Sequence, residues 1–208
     1  MIRKSKRRRN EGPPQQVRII GGRWRGRKLK VGEGEGSRPT PDRVRETLFN
    51  WLQPVVAGSR CLDLFAGSGA LGFEALSRGA GSVVLVESNP SLAALLREQA
   101  VRLEAESARV VHADALAWLN GESTPFDIVF LDPPYSDNLL GRACARLLER
   151  RLLADGALVY MESGDTPPED LPQLEKIRQG RAGQVQYRLL KFKKLSNNDE
   201  NSHLSGNL

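Results

Sequence analysis

The sequence predicts an α/β fold: a mostly parallel sheet with helices on both faces, preceded by a β-hairpin. Three observations predict it. From residue 60 onward, short apolar runs alternate with longer segments of helical periodicity. A glycine-rich turn, Gly67-Ser68-Gly69-Ala70-Leu71-Gly72, separates the first such run from the first helical segment. A later apolar run, Phe126 to Leu131, ends in Asp132-Pro133-Pro134-Tyr135. Strands that alternate with helices pair in parallel, and the crossover helices cover both faces of the sheet.

The elements follow in order. Residues 1 to 16 are basic, end near Gly12-Pro13-Pro14, and read as a disordered arm. Val17 to Ile20 and Arg23 to Val31 flank Gly21-Gly22, which is a hairpin signal. The second half places Arg and Lys on one face, with a bulge expected near Gly26. A glycine-rich linker, Gly32 to Gly36, follows. Thr40 suits an N-cap and Pro41 a first helical position, and Val44, Leu48, Trp51 and Leu52 recur at helical spacing up to Gln53-Pro54. Strands are expected at Cys61–Phe65, Ser82–Glu87, Arg109–His112, Phe126–Leu131 and Gly156–Glu162. Helices are expected at Ala70–Arg78, Pro90–Ala105, Asp114–Leu119 and Asn138–Arg151. Gln184 to Lys194 alternates as a closing antiparallel strand, and Asn197 to Leu208 is polar and reads as disordered.

Composition narrows the function classes. The 208 residues are 39% hydrophobic and 27% charged, as in a soluble globular protein of one domain with a small appendage. No apolar stretch is long enough to span a bilayer, and the charged N-terminus lacks the apolar core of a secretory signal. The two cysteines, Cys61 and Cys144, sit in apolar runs without metal-ligand spacing, so core packing and a reducing, cytoplasmic setting are expected. Residues 1 to 30 hold twelve Lys/Arg against one acid, a net +11, while the remaining 178 carry 19 basic and 24 acidic side chains, a net −5. A basic arm on a mildly acidic body points to a polyanion, and a solvated tail that aids solubility is the competing reading.

The glycine turn matches G-x-G-x-x-G, with Glu87 lying 20 residues beyond Gly67. Taken alone, that is a dinucleotide fingerprint. Two acids point elsewhere. Asp63, in Asp63-Leu64-Phe65-Ala66-Gly67, would repel a pyrophosphate and attract the ammonium and sulfonium charges of S-adenosylmethionine. Asp114 follows the third strand, where it either accepts from an adenine amino group or caps the next helix. Glu87 would bind ribose hydroxyls with either cofactor. The glycines are expected to let backbone approach a ligand.

Asp132-Pro133-Pro134-Tyr135 decides between the cofactors. Two prolines remove two N–H donors, leaving carbonyls, a carboxylate and a ring at the sheet edge where ligands bind. Such a surface suits a planar base carrying an NH2 group. D-P-P-Y after the fourth strand, with D-x-F-x-G-x-G after the first, resembles the amino-group methyltransferases. Val17-Arg18-Ile19-Ile20-Gly21-Gly22 and Arg38-Pro39-Thr40-Pro41-Asp42-Arg43-Val44-Arg45-Glu46 narrow the resemblance to the bacterial 16S ribosomal RNA guanine-N2 methyltransferases of RsmD type, over roughly residues 17 to 194. The resemblance implies a Rossmann-like class I S-adenosylmethionine methyltransferase with a seven-stranded, mostly parallel sheet. It divides the chain into a basic arm (1–16), a hairpin and helix (17–52), a methyltransferase domain (53–195) and a tail (196–208).

On this reading Asp63, Phe65, Ala66, Gly67, Gly69, Glu87 and Asp114 hold S-adenosylmethionine. Asp132 and the Pro133 carbonyl accept the two N–H bonds of the target amine, and Tyr135 stacks on the base. Arg23, Arg25, Arg27, Lys28 and Arg38 would hold RNA, with Trp24, Pro134 and Tyr135 against bases; a charged edge strand that resists aggregation is the alternative for the hairpin. Cys61 is expected to be structural and His112 a buried, satisfied ring. The partner is 16S RNA or the small ribosomal subunit, met by a monomer. An adenine-N6 methyltransferase on RNA or DNA, a glutamine methyltransferase and a catalytically silent RNA-binding assembly factor remain open beside it.

Overall fold

The computed structural model describes residues 16–32, 40–133, 139–163, 171–183 and 185–194. The expected basic arm up to residue 15, the linker from residue 33 and the tail, with Arg38, Pro134 and Tyr135, lie outside those residues. A small hairpin, β1 (Gln16–Arg18) and β2 (Lys28–Lys30), precedes helix α1 (Asp42–Leu52). Then come β3 (Arg60–Asp63), α2 (Ala70–Ser77), β4 (Ser82–Glu87), α3 (Pro90–Leu103), β5 (Ala108–His112), α4 (Ala115–Gly121), β6 (Phe126–Leu131), α5 (Leu139–Glu149), β7 (Leu153–Ser163), β8 (Leu174–Ala182) and β9 (Val185–Phe192). Seven strands form one sheet in the order β5-β4-β3-β6-β7-β9-β8. β3 to β7 pair in parallel, while β9 runs antiparallel to both neighbours.

The parallel strands are apolar because both faces are covered. Val83 to Val86 of β4 are all buried. One face packs with α1, α2 and α3, where Phe49 meets Phe130 at a ring-centroid distance of 5.9 Å. The other face packs with α4 and α5 through Leu119, Leu140, Ala143 and Leu147. Cys61 and Cys144 are buried one on each side, as expected of structural thiols. Asn89 caps α3 by accepting from the Ser91 and Leu92 amides, and Pro90 takes the first helical position. No helix among the described residues is long and apolar enough to cross a membrane.

Three local expectations change. The hairpin forms, but residues 19–27 make a broad loop rather than a tight Gly-Gly turn. Gly22 and Gly26 both have positive φ, and a Cβ on Gly22 would lie 1.7 Å from the Ser77 carbonyl oxygen, so close docking on α2 dictates the glycine. Thr40 does not cap α1; Pro41 stands at that position without a side-chain bond. β8 was not legible as a strand, because Leu-Glu-Lys-Ile-Arg-Gln-Gly-Arg-Ala is a charged edge with a register shift between Lys176 and Arg178.

The hairpin is part of the core. Ile19, Trp24 and Leu29 join the cluster that includes Leu48, Phe49 and Leu76. A buried carboxylate holds it there. Glu74 of α2 accepts from the Ile20 amide at 2.7 Å, the Gly21 amide at 2.8 Å and Arg78 Nε at 2.7 Å. Arg45, fully buried on α1, stands 3.9 Å from the same carboxylate and donates to the Arg18 carbonyl at 2.8 Å. Removing one partner from such a buried ionic group strands the others. Glu74→Ala is therefore expected to cost about 3–5 kcal/mol in denaturant unfolding and to expose the hairpin to proteolysis. A loss below about 0.5 kcal/mol, typical of an ordinary surface site, would show that the anchor is elsewhere.

Candidate active site

Parallel strands bring their carboxyl ends to one edge, and three of them carry acids there: Asp63 on β3, Glu87 on β4 and Asp132 just after β6. Asp63 is 2% exposed, and its Oδ2 accepts from the Gly72 amide at 2.9 Å. Glu87 Oε2 accepts from the Gly67 amide at 2.9 Å, and Oε1 from the Asn89 amide at 2.7 Å. Two amides of the glycine turn therefore already serve carboxylates. A pyrophosphate site needs those amides directed at the ligand, so the literal dinucleotide reading fails here on charge as well as on geometry.

The glycines also mean something other than ligand approach. Gly69 has φ +77, and a Cβ there would sit 2.6 Å from the Phe73 ring. A Cβ on Gly72 would lie 2.4 Å from Leu85 Cδ2. Both let α2 pack against its neighbours. Gly67, with φ +49, is the glycine that borders the cavity.

The cavity, about 330 Å³, brings together Asp63, Phe65, Ala66, Gly67, Glu87, Asp114 and Asp132. Gly69 is not among its lining residues; it stands at the N-cap of α2 against Phe73. Asp114 takes the capping role, its Oδ1 accepting from the Ala117 amide at 2.8 Å at the start of α4, and the residue also lines the cavity. Asp132 and Pro133 are half-buried at the end of β6.

Thr40 also lines this cavity. It is 6% exposed, and its hydroxyl lies 2.7 Å from Glu162 Oε1 and 3.3 Å from Asp132 Oδ2. The Tyr160 hydroxyl donates to the same Glu162 oxygen at 2.7 Å. Burial pushes the Glu162 carboxyl above its ordinary range, against the two hydroxyl donors that favour the anion. Burial, reinforced by Glu162, likewise holds Tyr160 in its protonated form. The sequence carried little signal for this group. Glu162 follows an ordinary apolar run, and Thr40 reads as a helix cap.

Other expected roles change. Trp24 is 4% exposed and packed in the core, with its backbone amide bonded to Ser77 Oγ at 2.9 Å, so it is not a stacking platform for a base. Its apolar surface is what fixes the hairpin to α2. Arg23, Arg25, Arg27 and Lys28 are exposed. Arg23 and Arg27 donate to the carbonyls of Glu104 and Arg102, beyond and at the C-terminal end of α3. Gly32 at the hairpin's other end lies against Leu92, near the α3 N-terminus and lining the cavity. His112 is exposed rather than buried, with Nε2 3.1 Å from the Ser88 carbonyl oxygen. Burial pushes the Cys61 and Cys144 thiols up to about 12, so neither is a thiolate nucleophile near neutrality.

A family described as conserved hypothetical protein 95 matches residues 17–191. The ribosomal RNA small subunit methyltransferase D of Escherichia coli K12 is 48% identical over 84% of this chain and 89% of its own length. Its namesake in Haemophilus influenzae is 46% identical over 84% of this chain and 93% of its own. The solved structure of the E. coli protein yhhF has 48% identity and a TM-score of 0.80, covering 87% of this chain and 100% of that one. A hypothetical protein of Thermus thermophilus has 35% identity and a TM-score of 0.69, covering 83% and 98%. With a match that runs from the hairpin to β9 and relatives this similar along most of both chains, the protein belongs to the conserved hypothetical protein 95 family and is kin to the ribosomal RNA small subunit methyltransferases D.

Proposed function

We propose that this protein transfers a methyl group from S-adenosylmethionine to the exocyclic N2 of a guanine in 16S ribosomal RNA. One observation carries the reading: Asp132 opens on the same acid-lined cavity as Asp63, Glu87 and Asp114. That donor set fits the cofactor. A cavity of about 330 Å³ is within the range of small-molecule sites, and its acids offer acceptors and negative charge rather than phosphate-binding amides. When bound, S-adenosylmethionine supplies an electrophilic methyl group on a sulfonium.

The residues divide the remaining work. Each carboxylate oxygen has two acceptor sites, so Glu87 holds Gly67 and Asn89 and still accepts from ribose hydroxyls. Asp63 attracts the cofactor's positive charges. Asp114 caps α4 with Oδ1 and accepts from the adenine amine. Pro133 has no amide hydrogen, so its backbone presents an acceptor alone. The Asp132 carboxylate and the Pro133 carbonyl take the two amine hydrogens of guanine and turn the nitrogen lone pair outward, countering charge as it develops. Tyr135 stacks on the base, which must leave its helical stack to enter, so a loop nucleotide is the target.

RNA is also held at a distance. The arginine-bearing hairpin loop meets the C-terminal end of α3, and the cavity lies by its N-terminus. The helix has 14 residues, about 21 Å at about 1.5 Å per residue. Arg23, Arg25, Arg27 and Lys28 thus reach phosphates well away from the reacting base. The partner is free 16S RNA or the small subunit, met by a cytoplasmic monomer.

Asp132→Ala is expected to lower the single-turnover methylation rate about a hundredfold or more while leaving cofactor affinity unchanged; near wild-type turnover in the folded variant would remove Asp132 from the mechanism. Glu87→Ala should weaken cofactor binding measured by calorimetry by roughly tenfold or more, the scale of one charged hydrogen bond. An unchanged affinity would place the ribose elsewhere. Replacing Arg25, Arg27 and Lys28 together by Gln should reduce the slope of log RNA affinity against log salt by about 2, at roughly 0.7–0.9 per phosphate contact. A slope that stays the same would mean the hairpin does not touch the RNA backbone.

A further inference from the structure

Glu162 is a buried acid, 9% exposed, to which the methyl-transfer scheme gives no part. Thr40 links it to the reaction. Its Oγ1 is 2.7 Å from Glu162 Oε1 and 3.3 Å from Asp132 Oδ2. One hydroxyl therefore joins a cavity-facing carboxylate to a buried one, and it has a single proton to give. The shorter contact takes that proton, so Thr40 donates to Glu162 and turns lone pairs toward Asp132.

The chemistry supplies a proton to move. A guanine amine begins with two N–H bonds, and gaining a methyl group leaves the nitrogen positively charged until one of them breaks. The Pro133 carbonyl accepts a hydrogen bond but does not keep a proton near neutrality; a carboxylate does. We propose that Thr40 and Glu162 form a proton relay that clears Asp132 in the course of each methyl transfer. An N–H bond breaks as an O–H bond forms on Asp132 Oδ2. That proton passes to Thr40 Oγ1 while the Thr40 proton passes to Glu162 Oε1. The sum is one N–H bond lost, one O–H bond gained on Glu162, and the Asp132 anion restored; once the methylated base has left, the proton returns through Thr40 and Asp132 to water and Glu162 is an anion again. Thr40 and Glu162 act through Asp132 and touch neither base nor methyl group, so they are positioning residues, and their role rests on the methyl-transfer reading above.

The surroundings suit a proton acceptor. Removal from water raises the affinity of Glu162 for a proton. Among the described residues, the titratable groups around it are Tyr160 on its own strand, Tyr187 across the ladder on β9, and Asp132 after β6. Tyr160 is held protonated by burial and so donates to Glu162 without competing for the proton. If the contact were only a staple between β7 and the segment before α1, Gln would serve at position 162 as well as Glu, since its carbonyl accepts both hydroxyls.

The test uses the full chain, with small ribosomal subunits from cells lacking the enzyme as substrate. Single-turnover methylation is read beside calorimetric cofactor affinity and thermal unfolding for Thr40→Val, Thr40→Ser, Glu162→Gln and the Val/Gln double variant. Thr40→Val and Glu162→Gln should each slow transfer about tenfold to a hundredfold, on the scale of a lost proton-transfer group, with cofactor affinity kept and a folded protein whose melting temperature falls by only about the few degrees that a lost buried hydrogen bond costs. Thr40→Ser should restore the rate to within about threefold of wild type, and the double variant should be no slower than the worse single, as steps in series require. The wild-type rate should fall on the acid side as Glu162 becomes protonated, and Glu162→Gln should lack that limb. A Glu162→Gln enzyme at wild-type rate, a Thr40→Ser variant as slow as Thr40→Val, or losses that multiply in the double variant would each overturn the relay alone. Wild-type protein that binds cofactor but leaves the RNA unlabelled would overturn the methyl-transfer reading and the relay with it.

Discussion

The hydrogen bond from the Gly67 amide to Glu87 ties the glycine turn after β3 to the end of β4, and the character of the site depends on it. Asp63 makes the matching contact to Gly72 from below the turn. Each is a backbone amide given to a carboxylate, the stronger kind of hydrogen bond. Together they turn a loop that could have cradled phosphate into one that presents acids. The same edge then suits cationic rather than anionic groups. Asp132 follows because β6 is the parallel neighbour of β3 and ends at the same level. The proline after it has no amide hydrogen, so the backbone there offers an acceptor alone.

A second carboxylate, Glu74, explains how the N-terminal segment serves that site. It fastens the hairpin to α2 through the Ile20 and Gly21 amides, so the hairpin lies along α3 as part of the core. The chain then returns to the sheet edge, where Thr40 reaches both Asp132 and Glu162. Packing and the candidate site are therefore linked: a segment whose exposed side is basic is continuous with one whose buried side bonds to Asp132 and Glu162. The hairpin charges and the cavity stand at opposite ends of α3, so an RNA that spanned both would be held at two separated points.

Much of this was legible in the sequence because it is periodic or compositional. Alternating apolar runs marked the parallel sheet, and Asp132 after β6 lies on the cavity where the sequence put it. Asp63, Glu87 and Asp114 are where the spacing placed them, around one cavity. What was not legible depends on distant neighbours. β8 is an edge strand whose charges hide its alternation. Trp24 among arginines reads as a stacking residue, yet its ring is covered by the core beside Ser77. Gly69 and Gly72 read as ligand glycines, whereas Phe73 and Leu85 leave no room for a Cβ. Thr40 has the residue type of a cap; only the fold brings it to Glu162, which is 122 residues away in sequence. Pairings at that separation leave no local pattern.

The most direct test of the account is the identity of the methylated nucleoside. Small ribosomal subunits from cells lacking the enzyme would be incubated with the protein and methyl-labelled S-adenosylmethionine, and the 16S RNA digested to nucleosides. Label should appear in N2-methylguanosine and in no other nucleoside. Label in N6-methyladenosine would contradict the guanine assignment while keeping amine methylation at Asp132. Label absent from RNA, despite cofactor binding, would contradict the central claim.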